Sequence, residues 1–223
     1  MNQTLKLALF GVAIACVSIG AYSQVDTYLE RRQEEREARE ELYKAVNEQT
    51  AGSQVLLETE VKSSSMTFGE LFDSSNERVK KISETLILVQ TAGIDDGERA
   101  DLARYLEGLQ EVLRLQVAHK RKMLAASSAA DYLNEAVEEL KSSSGYSAEF
   151  ALGRAKKASS DAEKAAEEFQ IAQNEYAQGI GKFQKEMLPI RAKIKSVNLI
   201  SDELLSSVKK GIDGGVTDKD KPA

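Results

Sequence analysis

The 223-residue sequence has no tryptophan, one histidine, one cysteine and two prolines, and aromatic residues make up only 6% of it. A single thiol cannot form an internal disulfide, so the fold must be held by packing alone in any redox compartment. A single histidine excludes zinc sites built on several histidines and bis-histidine haem sites. The scarcity of large aromatic side chains argues against a thick globular core, whereas 30% charged residues favour long, solvated helices.

Patterns that usually mark a catalytic or cofactor site are also missing. There is no glycine-rich phosphate loop and no Glu-x-x-His motif of a di-iron bundle. We therefore predict a protein that is not an enzyme, with no catalytic residue, no metal and no cofactor. His119, the only histidine, is predicted to be a solvated or edge residue. The formal charge of −6 argues against nucleic acid as a partner, because phosphate binding needs a basic surface.

An uncharged stretch near the start of the chain decides where the protein is expected to reside. Residues 7–25 carry no charge over about 19 positions, enough for a helix to cross a bilayer. We interpret residues 1–23 as a signal-anchor or a signal peptide, and we prefer the anchor. One alternative is cleavage after Ser23, because Ala21 and Ser23 are small residues at the positions that signal peptidase reads. The other alternative is lipidation of Cys16. In the anchor interpretation, Cys16 is a small thiol packed in a membrane helix.

The anchor predicts a single-pass membrane protein with a translocated body, periplasmic or extracellular. The short N terminus and the export-like residues after the apolar run favour translocation. Arg31, Arg32 and Arg36 favour the opposite orientation by the positive-inside rule, by a small margin. Cleavage after Ser23 would instead give a secreted or periplasmic protein.

The rest of the chain is predicted to be all-α. Residues 24–65 predict a charged helical stalk, since ten of the twelve residues over 30–41 are charged, with opposite signs four apart. The sequence Thr67-Phe68-Gly69-Glu70 is a capping box, which predicts the start of a second helix. A helical bundle is expected over residues 66–210, and no strand pattern competes with it.

Within the bundle, residues 98–188 are predicted to form a long antiparallel coiled-coil hairpin, because apolar residues recur at heptad spacing on both of its helices. The packing seam is predicted at Leu102, Leu106, Leu109, Leu113, Ala151, Ala155, Ala158, Ala162, Ala165, Phe169 and Tyr176. Alanine buries little apolar area, so the alanine half should be marginal. After a stop or kink at Pro189, the heptad spacing from Ile190 to Val208 predicts a last helix. Residues 211–223 are predicted to be a disordered tail.

One basic cluster interrupts the hairpin pattern. Lys120-Arg121-Lys122 is interpreted as solvated, and the alternative is a small contact for an anionic partner or lipid head group. Polar Gln116 and Lys120 lie on the seam itself. A polar seam residue weakens packing but fixes register or partner, which favours a role in protein interaction.

Together these patterns predict a membrane-tethered or exported coiled-coil protein with a structural or adaptor role. It would present helix faces for self-association, giving a homo-oligomer, or for binding another protein. The alternative is an extracytoplasmic ligand-sensing helical bundle that acts with a separate signalling partner.

Overall fold

The computed structural model describes the backbone of residues 3–61 and 66–214, with side chains from residue 28 onwards. These residues form five α-helices and no strand, so the all-α prediction is confirmed for them. The helices are α1 (Gln3–Glu58), α2 (Phe68–Thr91), α3 (Asp96–Ser142), α4 (Tyr146–Lys193) and α5 (Asp202–Gly214).

Helix starts follow local sequence signals. The predicted capping box before α2 is confirmed, since the Glu70 backbone N–H donates to Thr67 Oγ1 at 3.3 Å and Thr67 N–H donates to Glu70 Oε2 at 2.7 Å. Asp95 caps α3 by accepting from the Gly97 N–H at 2.9 Å. Gly145, at φ +60°, makes the sharp turn between α3 and α4, a conformation that favours glycine.

Helices α3 and α4 pack against each other in antiparallel fashion along most of their length. Lys193 Nζ lies 3.1 Å from Asp101 Oδ2 near one end, and Arg154 pairs with Glu139 near the other. The loop between the two helices is therefore the far tip of a long hairpin.

The other three helices cover only one half of this hairpin. The side chain of Gln110 donates to a backbone carbonyl of α2 at 2.8 Å. The hydroxyl groups of Thr50 in α1 and Tyr105 in α3 form a hydrogen bond of 2.9 Å. Gln173 of α4 donates to the carbonyl of Ile212 in α5. We call this five-helix part the bundle half, and the remaining two-helix part, residues 126–166, the free hairpin.

The core reflects this division. Long apolar and aromatic side chains from all five helices fill the bundle half. Its largest fully buried side chains are Leu42, Leu57, Ile82, Leu102, Tyr105, Leu106, Leu109, Leu113, Tyr176, Ile180, Met187 and Ile190. The free hairpin has a separate small cluster, in which Ala136, Ala155 and Ala158 are buried beside Leu133 and Leu140.

The N-terminal helix leaves the bundle at the end opposite the hairpin tip. Tyr43 donates to Glu98 at 2.6 Å, so this part of α1 lies beside the start of α3 and runs parallel to it. Residues 28–41 are exposed throughout, as a solvated stalk would be, but from Leu42 onwards α1 contributes to the core. The exposed segment is therefore shorter than the predicted stalk over 24–65.

The structure differs from the prediction at the end of the chain, where Pro189 does not stop the helix. Helix α4 continues through Pro189 for one more turn, and residues 194–201, predicted to be helical, are not. Ile194, Val197 and Ile200 are nevertheless buried, so apolar residues spaced by three are buried here in a non-helical segment. Helix α5 begins only at Asp202 and includes residues 211–214, the first part of the predicted tail.

Three predictions fall on residues whose side chains lie outside the described ones, namely the anchor over 7–25, lipidation of Cys16 and cleavage after Ser23. The rest of the predicted tail, residues 215–223, also lies outside them. Among the helical segments whose side chains are described, none carries an apolar stretch long enough to span a bilayer.

Candidate functional site

The three residues of the basic cluster, Lys120, Arg121 and Lys122, all lie on α3 but contact three different helices. Lys120 is mostly buried against the end of α1. The Arg121 guanidinium lies 4.3 Å from the ring centroid of Phe72 in α2, a cation–π contact. Lys122 Nζ lies 2.6 Å from a carboxylate oxygen of Glu168 in α4. Because each cation already has its own partner within the chain, the three do not converge on one anion site.

Where the bundle half meets the free hairpin, a polar cluster is buried. Lys120 Nζ lies 2.8 Å from Glu60 Oε2, and the Glu60 side chain is only 7% exposed. Gln116, which is fully buried, donates to the Leu56 carbonyl at 2.9 Å and to Glu60 Oε1 at 3.2 Å. The two polar seam residues therefore bind the C-terminal end of α1. We call this cluster, completed by His119, Gln173 and Tyr176, the polar junction.

His119 lies inside the polar junction, which corrects its prediction as a solvated or edge residue. It is 5% exposed, and its ring stacks on Phe169 at 5.3 Å and lies tilted against Tyr176 at 5.5 Å between centroids. Burial lowers the pKa of His119, the Glu60 carboxylate raises it less, and Lys120 lowers it further. The imidazole is therefore neutral at pH 7.

Several polar atoms of the polar junction are buried without a hydrogen-bond partner in the structure. They are His119 Nδ1, the Tyr176 hydroxyl, Gln116 Oε1 and Gln173 Oε1. Burial, and next the Glu60 carboxylate, raise the pKa of Tyr176 well above its usual value. At pH 7 the Tyr176 phenol therefore keeps its proton and the His119 imidazole carries no charge, so the ring contact joins two neutral groups.

The predicted packing seam lies where α3 and α4 meet. Leu102, Leu106, Leu109, Leu113, Ala151, Ala155, Ala158 and Tyr176 are buried, and Ala162, Ala165 and Phe169 are half-buried. The loss of burial from Ala162 to Phe169 falls at the boundary between the free hairpin and the bundle half. The seam thus holds the two helices together but offers no exposed chemistry.

At the far tip, two aromatic residues are exposed to solvent. Tyr146 is 76% exposed and Phe150 is 60% exposed, and their rings meet edge to face at 5.1 Å. Sequence reasoning missed them, because both lie off the heptad seam. The sequence feature that could have revealed them is the spacing of two aromatic residues four positions apart in a chain with few aromatic residues. Exposed aromatic residues of this kind are enriched at the energetic centres of protein interfaces.

An open groove of about 610 Å³ lies between α4 and α5. Its lysines are accompanied by carboxylates, with Lys209 3.4 Å from Asp213 and Lys182 4.0 Å from Glu186. These side chains are exposed surface groups, so the groove lacks the buried polar anchor that a ligand site needs. Among the described residues, no three His, Cys, Asp or Glu side chains are placed to hold a metal ion.

The fold thus defines the chain as an all-α helical bundle with a protruding hairpin. Comparison with known proteins adds no name to this class, since no family model, no curated protein and no solved structure matches the sequence or the fold.

Proposed function

We propose that this protein is a non-enzymatic adaptor that holds a helical hairpin away from a membrane and presents the tip to another protein. The observation that carries the proposal is the exposed pair Tyr146 and Phe150 at the hairpin tip, at the end of the molecule opposite residues 28–41. Two large aromatic side chains in water are costly for a soluble chain unless another surface covers them.

The arrangement of the two ends supports a tether. Residues 28–41 form an exposed helical segment between the proposed anchor and the bundle. The free hairpin extends from the opposite side, as a coiled coil of two helices. In the proposed topology the bundle and the hairpin lie on the translocated side, and cleavage after Ser23 would release the same hairpin as a secreted adaptor.

The proposal is tested by placing a photocrosslinking amino acid at Phe150 in the full chain, expressed in the organism that encodes it. Leu188 is the control, because it is equally exposed, at 62%, but lies at the bundle end. We expect a discrete crosslinked protein from position 150 that is identified by mass spectrometry and absent from position 188. Equal crosslinking patterns at both positions would contradict the proposal.

The tether is tested separately by the intact mass of the protein in membrane and soluble fractions. The full mass of 24.5 kDa in the membrane fraction supports the anchor. A mass that begins at Gln24 in the soluble fraction would show an exported adaptor instead, and a mass that begins at Cys16 with added acyl chains would show lipidation.

A further inference from the structure

One edge of the hairpin is covered in the bundle half and uncovered in the free hairpin. Two rows of residues, each spaced by seven, run along this edge. On α3 the row is Gln116, Met123, Ala130 and Val137, and on α4 it is Leu152, Ser159, Ala166 and Gln173. The two glutamines are buried, Gln116 under the end of α1 and Gln173 under α5.

Beyond the two glutamines the rows carry no charge. Met123 and Leu152 are 37% and 43% exposed, Ala130 and Ala166 are also exposed, and Val137 and Ser159 are half-buried. We use the name uncharged edge for the six other residues of the two rows, which are Met123, Ala130, Val137, Leu152, Ser159 and Ala166. The opposite edge of the same hairpin is charged and bridged by Arg154 and Glu139. An uncharged helical edge that continues a covered one is an unfilled packing surface.

We propose that the uncharged edge is covered by the same edge of a second copy of this chain. The two hairpins would lie parallel, tips together, so that α3 of each copy packs on α4 of the other as a four-helix bundle. The rows are already in register for this pairing, because in the antiparallel hairpin Val137 lies level with Leu152 and Met123 with Ala166. The second copy would supply the two helices that α1 and α5 supply in the bundle half.

The charges beside the uncharged edge favour packing of α3 on α4 of the second copy over packing of α3 on α3. Apart from Glu139 and Arg154, which lie on the charged edge, residues 131–141 of α3 carry three carboxylates and one lysine, whereas α4 carries Lys156 and Lys157 at the same level. Packing α3 on α4 of the second copy brings opposite charges together, and packing α3 on α3 would bring carboxylates together. Lys141 and Glu149, which lie level beside the uncharged edge, would form one such intermolecular pair.

Residues 215–223 of the same chain do not fit the uncharged edge equally well. Residues 215–223 follow α5 but contain Val216 as their one large apolar side chain. The edge runs for 14 residues on each helix, about 21 Å. A second hairpin matches this length and its spacing of seven, and nine mostly polar residues do not.

The test compares two identical substitutions on α3 of the full chain, purified in a mild detergent. Ala130→Glu places a charge on the uncharged edge, whereas Ala125→Glu places it on the charged edge, fourteen residues before Glu139. Sedimentation equilibrium in density-matched detergent should give twice the 24.5 kDa monomer mass for the unmodified chain and for A125E, and the monomer mass for A130E at unchanged helicity. A monomeric unmodified chain, or a dimeric A130E, would overturn the inference.

Cysteine pairing tests the orientation in chains that carry Cys16→Ser. A chain with Ala130→Cys is mixed with a differently tagged chain with Ser159→Cys, and the expected product under mild oxidation is a heterodisulfide. Ala125→Cys mixed with Ser159→Cys is the control and should give none. Equal yields from both mixtures would overturn the parallel pairing.

The inference rests on the proposed function, since it names a second copy as one occupant of the presented hairpin. The two stand or fall separately. If A130E and A125E are equally monomeric while Phe150 still crosslinks to another protein, the dimer is wrong and the adaptor stands. If the dimer forms but position 150 crosslinks to nothing, the adaptor tip is wrong and the dimer stands.

Discussion

The same two helices, α3 and α4, lie in two different environments along their length. In the bundle half their seam consists of leucines and tyrosines that three further helices enclose. In the free hairpin it consists mainly of alanines, with Leu133 and Leu140 only partly buried beside them. Helix formation is continuous across the boundary, so the difference lies in tertiary packing and not in secondary structure.

This comparison shows how one pair of helices serves two purposes. Leucine at seam positions supplies the apolar burial that holds a fold together. Alanine keeps the helix formed through its high intrinsic propensity, but it leaves little tertiary stabilisation within the hairpin. The free hairpin is therefore a regular helical surface that depends on the bundle half for its position.

The largest expected difference between the two halves comes from one substitution made in each. Leu109→Ala removes a fully buried side chain from the bundle half and should lower the free energy of unfolding by about 3 kcal/mol. Leu140→Ala removes a half-buried side chain and should cost about 1 kcal/mol or less. Urea denaturation followed by circular dichroism measures both. Equal losses would show that the free hairpin is packed as tightly as the bundle half.

A somewhat smaller effect is expected where the two halves meet. Lys120→Met removes the partner of the buried Glu60 carboxylate and should cost about 2 kcal/mol, because it leaves a buried charge unpaired. Lys122→Met is the matched control, since its pair with Glu168 is exposed and should contribute less than about 0.5 kcal/mol. Denaturation midpoints separate these cases. A loss as small as the control would mean that solvent reaches Glu60.

The polar junction should also make stability depend on pH. Since burial lowers the pKa of His119 in the folded chain, the unfolded chain takes up a proton first as the pH falls. Stability should therefore be full above the ordinary histidine value of 6.5 and should decrease as the pH falls below it. His119 is the only histidine, so His119→Gln should flatten the urea midpoint between pH 7.5 and 5.5. An unchanged slope in this variant would assign the effect to other groups.

The smallest effect is expected at the tip. Replacing both Tyr146 and Phe150 by serine should change the free energy of unfolding by less than about 0.5 kcal/mol, because both side chains are exposed. A photocrosslinking amino acid at the neighbouring exposed Ser147 should capture the partner of the adaptor proposal in the otherwise unmodified chain and lose it in this variant. A large loss of stability would mean that the aromatic pair holds the turn at Gly145 and is structural.

The helical content could be predicted from sequence because its signals are local. The capping box at Thr67 lies within one turn of helix, and the seam of leucines and alanines repeats every three or four residues, which is about one turn. The region after Pro189 could not be predicted, since apolar residues spaced by three or four are also buried in this non-helical segment. Local periodicity does not report which neighbour covers an apolar residue.

The candidate sites were less predictable than the fold. His119 and Lys120 are close to the α3 seam, and the sequence gives no indication that the end of α1 packs over them. The burial of Glu60 depends on a contact between residues about sixty positions apart, which no local pattern encodes. Tyr146 and Phe150 lie off the seam, so periodicity left them out.

The course of α1 has a mechanical consequence. Because α1 runs beside α3 and leaves the bundle at the end opposite the tip, a pull between residue 28 and the hairpin tip loads the helix interfaces along their axes. Interfaces loaded in this direction resist by shearing many side-chain contacts at once, whereas helices pulled apart from one end lose them one by one. In the proposed topology the chain would bear tension between the membrane and the bound partner, and single-molecule stretching between positions 28 and 146 would give the rupture force.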